Sequence, residues 1–272
     1  MTATVESPSN EAAADRKVPL VELRNVGKSY GNITALKDIS LRVHAGQVTG
    51  ILGDNGAGKS TLIKIIAGLH QQTEGELLVD GETTKFSSPA DALGKGIATV
   101  YQNLAVVPLM PVWRNFFLGQ EVRKKSFPWS LDANAMRATT LAELSKMGIE
   151  LPDVDAPIGS LSGGQRQCVA IARAVFFGAR VLILDEPTAA LGVKQSGVVL
   201  KYITAAKDAG FGVVFITHNP HHAHMVGDHF VLLNRGKQKL DCTYDEISLE
   251  HLTQQMAGGD ELQALSHELG RK

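Results

Sequence analysis

The stretch Gly53 to Ser60 reads GDNGAGKS, and it joins one short apolar run, VTGIL, to another, LIKIIAGL. A strand, a glycine-rich loop and a helix in this order form the unit from which parallel α/β sheets are built. Two further apolar runs, VLILDEP from Val181 and FGVVFITH from Phe211, have the continuous apolar character of strands that are buried on both faces. The sequence therefore predicts an α/β fold with a parallel sheet at its core.

The segments around this core follow different patterns. From Leu20 to Val43, two alternating runs separated by Gly31 and Asn32 predict an antiparallel pair of strands. Helical spacing prevails from about residue 88 to residue 175, which predicts a helical lobe inserted into the core domain. We expect a disordered lead-in over residues 1–18, the main domain over residues 19–240, and a helical C-terminal tail over residues 241–272.

The glycine-rich loop has the residues of a phosphate-binding site. Its glycines let the backbone turn so that successive N–H groups face a phosphate at the start of a helix. Lys59 would bridge the β- and γ-phosphates of a nucleotide, and the Ser60 hydroxyl would contact Mg²⁺. The nucleotide-contacting residues expected in this loop are Gly53, Asp54, Asn55, Gly56, Ala57, Gly58, Lys59, Ser60 and Thr61.

Two carboxylates follow the apolar run VLIL. Asp185, at the carboxyl end of the predicted strand, can hold Mg²⁺ directly or through a water molecule. Glu186 is the better candidate to orient or deprotonate the water that attacks the γ-phosphate. Together with the phosphate loop, these residues predict hydrolysis of a nucleotide.

A third motif, LSGGQ, occupies Leu161 to Gln165. Ser162 can cap a helix that begins near Gly163. Because Gly163 and Gly164 have no side chains, backbone N–H groups and the positive end of the helix can face outward toward an anion. The start of this helix is therefore a candidate surface for binding an anion.

Together, GDNGAGKST, LSGGQRQ, VLILDEPT and ITHN resemble the motifs of the ATP-binding subunit of ABC transporters, over roughly residues 20–240. The resemblance implies a P-loop NTPase cassette with a parallel-sheet core, an antiparallel β subdomain and an inserted helical lobe. It also implies ATP and Mg²⁺ as ligands, and a second copy of the chain with which two ATP molecules are shared. In that family the LSGGQ residues close over the γ-phosphate of the partner cassette, and here they are Ser162, Gly163, Gly164 and Gln165.

The resemblance assigns roles to three residues whose types alone would indicate nothing. Tyr30 matches the aromatic residue that stacks on adenine. Gln102 matches the glutamine that contacts Mg²⁺ and the attacking water, and His218 matches the switch histidine near the γ-phosphate. The expected catalytic residues are Lys59, Gln102, Glu186 and His218, and the expected metal-contacting residues are Ser60, Gln102 and Asp185.

The segment after VLILDEPT departs from the family pattern. It reads AALGV where many relatives carry SALD, so Gly192 stands in place of an aspartate that couples the two nucleotide sites. The departure puts that contact in doubt. Glu186 is retained, and we still expect hydrolysis.

Composition limits the partners. The chain has 27 Lys and Arg against 28 Asp and Glu, so its net charge is close to zero. This balance does not indicate binding to nucleic acid or to an anionic membrane. No apolar run approaches the roughly 18 to 20 residues needed to span a bilayer, so we expect any membrane association to be through a protein. The resemblance implies two transmembrane permease subunits and, indirectly, a sugar-binding protein, with the chain peripheral at the cytoplasmic face of the inner membrane.

The stretch of residues 103–121, NLAVVPLMPVWRNFFLGQE, is apolar with few charges. It predicts either a groove in which a short helix of the permease docks or the core of the helical lobe.

Three segments bear on the cargo: NFFLG, AALGV and the C-terminal sequence MAGGDELQALSHELG. They resemble the corresponding segments of the ATP-binding subunits of monosaccharide importers, most closely the fructose and ribose types. The alternatives are an exporter cassette and a soluble cassette ATPase of DNA repair or translation. The soluble class typically carries a long coiled-coil insertion, for which there is no room between Lys59 and Asp185.

Overall fold

The structure, a computed structural model, describes residues 18–146, 148–151 and 153–257. The strands are β1 Val21–Tyr30, β2 Ile33–Val43, β3 Gln47–Leu52, β4 Glu74–Val79, β5 Glu82–Thr83, β6 Ile97–Val100, β7 Arg123–Lys124, β8 Phe127–Leu131, β9 Val181–Asp185, β10 Gly212–Thr217, β11 His229–Asn234 and β12 Lys237–Thr243. The helices are α1 Lys59–Ile66, α2 Pro89–Gly94, α3 Val112–Phe116, α4 Ala133–Lys146, α5 Gly163–Phe176, α6 Val193–Asp208, α7 Pro220–Val226 and α8 Leu249–Met256.

A six-stranded sheet forms the core, in the order β12-β11-β3-β10-β9-β6. All neighbouring strands in it are parallel except β12, which pairs antiparallel with β11 at one edge. Every residue of β10 is buried. Such continuous burial requires cover on both faces of the sheet, which is why these strands are apolar throughout. The predicted parallel core is confirmed.

Side chains of the central strands point alternately to two apolar cores. Leu184 and Phe215 belong to the core that also contains residues of the helical lobe, α5 and α6. Ile183 and Ile216 belong to the second core, which contains residues of α1 and of the strands β1 and β2. The sheet thus separates the two cores and holds its carboxyl edge rigidly between them.

A second, four-stranded antiparallel sheet has the order β2-β1-β4-β5. The hairpin between β1 and β2 turns at Gly31 and Asn32, as predicted, and Gly31 has φ 57°, which favours glycine. The carboxylate of Glu22, on β1, accepts hydrogen bonds from Arg24 (2.7 Å) and from Arg42 on β2 (2.9 Å). The pair with Arg42 joins the two strands, whereas the pair with Arg24 lies within β1.

The range predicted for the helical lobe contains α2, α3, α4 and nearly all of α5, together with a small β7–β8 hairpin that helical spacing did not predict. Four aromatic rings pack between α3 and the end of α5, with neighbouring centroids 4.9 to 6.2 Å apart. They belong to Phe116, Phe117, Phe176 and Phe177. Strand β6 also falls within residues 88–175, but it pairs with β9 in the core sheet. A four-residue apolar strand is too short to be distinguished from a helical segment by its spacing.

The two ends of the chain are described only in part. Residues 1–17, which make up nearly all of the predicted lead-in, and residues 258–272 of the predicted tail lie outside the described residues. In the described part of the tail, β12 ends at Thr243 and α8 occupies Leu249–Met256. Within the described ranges, no helix has both the length and the apolar character that crossing a bilayer requires.

Candidate functional site

The phosphate loop runs from β3 to α1, at the carboxyl edge of the parallel strands. Gly53 and Gly58 have φ 147° and 106°, in a region that residues with a Cβ rarely adopt. A Cβ on Gly53 would lie 2.4 Å from the carbonyl oxygen of Leu233, and a Cβ on Gly58 would lie 2.6 Å from Cδ2 of Leu36. Both space and backbone conformation therefore require glycine at these two positions.

Lys59 is the first residue of α1, and it is buried. Its ammonium group donates hydrogen bonds to the carbonyl oxygens of Gly53 (2.6 Å) and Asp54 (3.0 Å). Burial lowers the pKa of Lys59, and the nearby carboxylates of Glu186, Asp54 and Asp185 act in the opposite direction. The loop lysine and the two carboxylates at the end of β9 therefore belong to one electrostatic site.

A cleft of about 500 Å³ opens over the phosphate loop. Seven of the predicted loop residues line it, namely Asp54, Asn55, Gly56, Gly58, Lys59, Ser60 and Thr61. The remaining two, Gly53 and Ala57, are buried. The structure thus brings the predicted loop residues together around one opening of a size suited to a small-molecule ligand.

Sequence reasoning missed the other wall of this cleft. It is formed by Ile33, Thr34, Ala35, Arg235 and Gly236. The first three residues begin β2, and the last two form the turn between β11 and β12. The N–H of Gly236 donates to the carbonyl oxygen of Ala57 (3.0 Å). The contact joins segments that are far apart in the chain, so no local pattern could have predicted it.

Asp185 ends β9, and Glu186 follows it at the same edge of the sheet. Burial and the adjacent Glu186 carboxylate raise the pKa of Asp185, while Lys59 acts in the opposite direction. The N–H of Glu186 donates to the carbonyl oxygen of Ile216 on β10 (3.0 Å). Two adjacent, partly buried carboxylates of this kind favour a nearby cation.

The two predicted catalytic residues Glu186 and His218 are in hydrogen-bond contact, with Nδ1 of His218 at 2.9 Å from Oε2 of Glu186. The Glu186 side chain is only 11% exposed, whereas that of His218 is 57% exposed. Because β9 and β10 are neighbours in the sheet, the residues that follow them meet at its edge. A carboxylate held in this way can orient a water molecule for attack on a phosphate.

The three predicted metal-contacting residues lie on or next to three different elements at this edge of the sheet: α1, β6 and β9. Ser60 lies on α1, and Gln102 follows β6 by two residues and is exposed. Val100 of β6 pairs with Leu184 of β9, so Gln102 and Asp185 come from adjacent strand ends. A hydroxyl, an amide and a carboxylate are oxygen donors that fit Mg²⁺. Among the described residues, no cluster of three or more His, Cys, Asp or Glu side chains is arranged to hold a metal ion.

Ser162 caps helix α5, as the sequence predicted. Its Oγ accepts a hydrogen bond from the N–H of Gln165 (3.3 Å), and Oε1 of Gln165 accepts one from the N–H of Ser162 (2.9 Å). This reciprocal pair satisfies two of the N–H groups that a helix start leaves without partners. The start of the LSGGQ helix is therefore fixed by the side chains of the motif itself.

The two glycines of LSGGQ lie against the segment that follows VLILDEP. The Cβ position of Gly163 is 2.7 Å from Cδ2 of Leu191, and that of Gly164 is 3.3 Å from Cβ of Gln195. Gly192 is the N-cap of α6, and it offers no side chain to the first N–H groups of that helix. Sequence reasoning did not predict this packing, which makes LSGGQ and the AALGV segment one continuous surface.

Tyr30 is the last residue of β1, and it is 42% exposed. It pairs across the hairpin with Ile33, which is 72% exposed and lines the cleft over the phosphate loop. Tyr30 itself does not line the cleft, but it is paired with a residue that does. An aromatic face in that position is available to a planar ligand.

A second cavity, of about 290 Å³, lies between β6 and the lobe helix α5. The first part of the stretch 103–121 lines it through Leu104, Ala105 and Val106. The later part, with Val112, Trp113, Phe116 and Phe117, is buried in the core. The later part therefore belongs largely to the core of the lobe, and docking of a permease helix in the cavity stays a prediction.

The family model described as "ABC transporter" matches residues 36–189. The xylose/arabinose import ATP-binding protein XylG of Sulfolobus acidocaldarius is 43% identical over 237 residues, which cover 87% of this chain and 93% of that protein. The fructose import ATP-binding protein FrcA of Rhizobium meliloti is 42% identical over 225 residues, or 81% of this chain and 86% of that protein. The ribose import ATP-binding protein RbsA 2 of Streptomyces avermitilis is 37% identical, but the match spans only 47% of its length.

Two solved structures have the same fold. The dimeric post-hydrolysis state of an ATP-binding cassette bound to ADP and Pi is 29% identical, with a TM-score of 0.69, and the match covers 82% of this chain and 98% of that one. A nucleotide-free ATP-binding cassette from an ABC transporter is 25% identical, with a TM-score of 0.73, and the match covers 83% of this chain and 91% of that one.

Proposed function

Because the chain belongs to the ABC transporter family, we propose that it is the subunit whose ATP hydrolysis drives import of a monosaccharide through a membrane permease. As a member of this family the chain is an ATPase. The observation that carries the proposal is the meeting of the phosphate loop, Asp185, Glu186 and His218 at one edge of the parallel sheet. The names of the relatives support sugars as the cargo.

The roles of the residues follow from this geometry. The loop N–H groups and Lys59 bind the phosphates of ATP, and the Tyr30 ring stacks on adenine. Ser60, Gln102 and Asp185 would hold Mg²⁺, which neutralises charge on the phosphates when bound. Glu186, held by His218, orients the attacking water and accepts its proton.

A second copy of the chain completes each site. Ser162, Gly163, Gly164 and Gln165 form the start of α5, whose N–H groups and positive end favour a phosphate. Two-fold symmetry gives both copies the same contact, so two ATP molecules lie in one interface. A dimeric cassette of known structure with this fold supports the arrangement.

Two permease subunits bind the other surface of the dimer. The cavity beside α5 is lined mainly by apolar residues and by Arg173, whose guanidinium donates to the carbonyl oxygen of Leu118 (2.7 Å). A short helix from a permease loop fits such an apolar groove. Closure of the dimer around ATP would move the lobes and, with them, the permease between outward and inward access. The chain would then be peripheral at the cytoplasmic face of the membrane, with a sugar-binding protein as an indirect partner.

The test is to isolate the chain with its permease and sugar-binding protein, and to measure ATP hydrolysis with xylose, arabinose, fructose or ribose. We expect one sugar, or a few related ones, to stimulate hydrolysis. A complex that hydrolyses ATP and responds to none of these or other monosaccharides would contradict sugar import. A complex that is stimulated by a lipid or drug without any binding protein would favour the exporter alternative.

A further inference from the structure

The ring of Tyr30 is held by two neighbours that the expected nucleotide site does not include. The ammonium nitrogen of Lys28 lies over the ring, 5.1 Å from its centroid. The imidazole of His70 meets the ring edge-on, with centroids 5.7 Å apart and an interplanar angle of 77°. These contacts leave Tyr30 42% exposed, and it pairs across the hairpin with Ile33, which lines the cleft over the phosphate loop.

Lys28 is itself fixed. Its ammonium group donates a hydrogen bond to the carbonyl oxygen of Gln71 (2.7 Å), and the Gln71 side chain donates to the carbonyl oxygen of Phe86 (3.2 Å). A lysine on an exposed strand ordinarily samples many rotamers, but a backbone acceptor and an aromatic face together restrict this one. Neither Lys28 nor Tyr30 lines the cleft, but Lys28 lies over the Tyr30 ring and Tyr30 pairs with the cleft residue Ile33. This chain of contacts is the route from Lys28 to a bound nucleotide.

We propose that Lys28 is a positioning residue for the nucleotide base, acting through a cation–π contact that fixes the Tyr30 ring. The proposal rests on the proposed function, in which Tyr30 stacks on adenine. A ring that is already fixed loses less conformational freedom when a base stacks on it. Loss of one exposed cation–π contact of this kind should weaken ATP binding about two- to fivefold.

The experiment measures dissociation constants by titration calorimetry for the full chain and its variants, with two probes. One probe is magnesium ATP, and the other is magnesium tripolyphosphate, which has phosphates but no base. The variants are Lys28→Met, Lys28→Arg, Tyr30→Ala and the double variant of Lys28→Met with Tyr30→Ala. Lys201→Met, an exposed lysine on α6, is the matched control.

We expect Lys28→Met to weaken binding of ATP and to leave binding of tripolyphosphate unchanged. Lys28→Arg keeps a cation over the ring and should bind ATP like the wild type. In the Tyr30→Ala background, Lys28→Met should have no further effect on ATP. In steady-state kinetics Lys28→Met should raise KM for ATP and leave kcat near the wild-type value, which general loss of structure would not do.

Either of two results would show that Lys28 does not act through the Tyr30 ring. Equal weakening of ATP and tripolyphosphate would mean that Lys28 acts by its charge on the phosphates, and an undiminished effect in the Tyr30→Ala background would mean that it does not act through the ring. Failure of the adenine-stacking role that the proposed function gives to Tyr30 has a different signature, since Tyr30→Ala itself would then bind ATP as tightly as the wild type. A wild-type affinity of Lys28→Met for ATP, with weak binding by Tyr30→Ala, would overturn only the inference about Lys28.

Discussion

Nδ1 of His218 lies 2.9 Å from Oε2 of Glu186, and the two side chains come from the ends of adjacent parallel strands. The sheet therefore sets their separation, since both cores of the molecule pack against β9 and β10. A base that is held by a histidine and by a rigid strand needs little rearrangement before it orients a water molecule. The pair should be critical for hydrolysis and dispensable for ATP binding.

Glu186→Gln should abolish hydrolysis and keep ATP binding. Removal of a general base typically costs about a hundred- to ten-thousandfold in rate. Because the amide retains the shape of the side chain, the phosphate loop and the dimer surface are unchanged, and an ATP-bound dimer should accumulate. Phosphate release assays and light scattering after size-exclusion chromatography measure the two effects.

The matched control for this variant is Glu250→Gln, an exposed glutamate on α8. It should leave both the rate and the oligomeric state unchanged. Normal turnover by Glu186→Gln, with a monomer in the presence of ATP, would contradict both the role of Glu186 and the shared-site dimer.

The parallel core and the β1–β2 hairpin were predictable because each strand carries its own local pattern. The VLIL run is apolar throughout because it is buried on both faces, and Gly31 marks a turn between alternating strands. The packing of Gly163 on Leu191 was not predictable, because it depends on how two separate segments meet in space. The same holds for Arg235 and Gly236, which reach the phosphate loop only through the register of β11 and β12.

Ser162→Ala should reduce both stability and hydrolysis. It removes the acceptor for the N–H of Gln165, and such caps contribute about 1 kcal/mol to the free energy of unfolding. Ser248→Ala is the matched control, because Ser248 caps α8 and accepts from the N–H of His251 (3.2 Å). Urea unfolding should report similar losses for both variants. Only Ser162→Ala should reduce the rate of ATP hydrolysis. Equal rates in the two variants would contradict a role of LSGGQ in the nucleotide site.

Gly53→Ala should destabilise the phosphate loop. The added Cβ would lie 2.4 Å from the carbonyl oxygen of Leu233 at φ 147°, so we expect a loss of about 1–3 kcal/mol in the free energy of unfolding. Gly197→Ala on α6 is the opposite case, because its Cβ would enter open space in a helix and should stabilise by about 0.5–1 kcal/mol. Urea unfolding and ATP titration of both variants measure this difference. An unchanged free energy of unfolding in Gly53→Ala would contradict the prediction.

Glu22 should make stability dependent on pH below neutrality. Arg24 lowers the pKa of Glu22, with a further contribution from Arg42, and burial opposes them in part. A carboxyl whose folded-state pKa lies below its unfolded value contributes stability above the unfolded pKa, and this is lost as pH falls through the folded pKa. Glu22→Gln should therefore lower the free energy of unfolding at pH 7 by about 1 kcal/mol, with the deficit shrinking as the pH falls below about 4.5. Glu82 is exposed, and Glu82→Gln, the control, should leave the free energy of unfolding unchanged both at pH 7 and at acidic pH.

Gly192→Asp tests the departure in the AALGV segment. Gly192 is the N-cap of α6 with extended backbone, φ −68° and ψ 163°, and its Cβ position has open space around it, so an aspartate fits without strain. Its carboxylate can accept from the first N–H groups of α6, which should stabilise the chain by a few tenths of a kcal/mol over glycine. Because this position adjoins the packing of LSGGQ on Leu191, an added carboxylate there should also strengthen coupling between the two sites of the dimer, and the Hill coefficient for ATP hydrolysis should rise. If Gly192→Asp raises stability and leaves the Hill coefficient unchanged, this segment does not couple the two nucleotide sites, whether it carries glycine or aspartate.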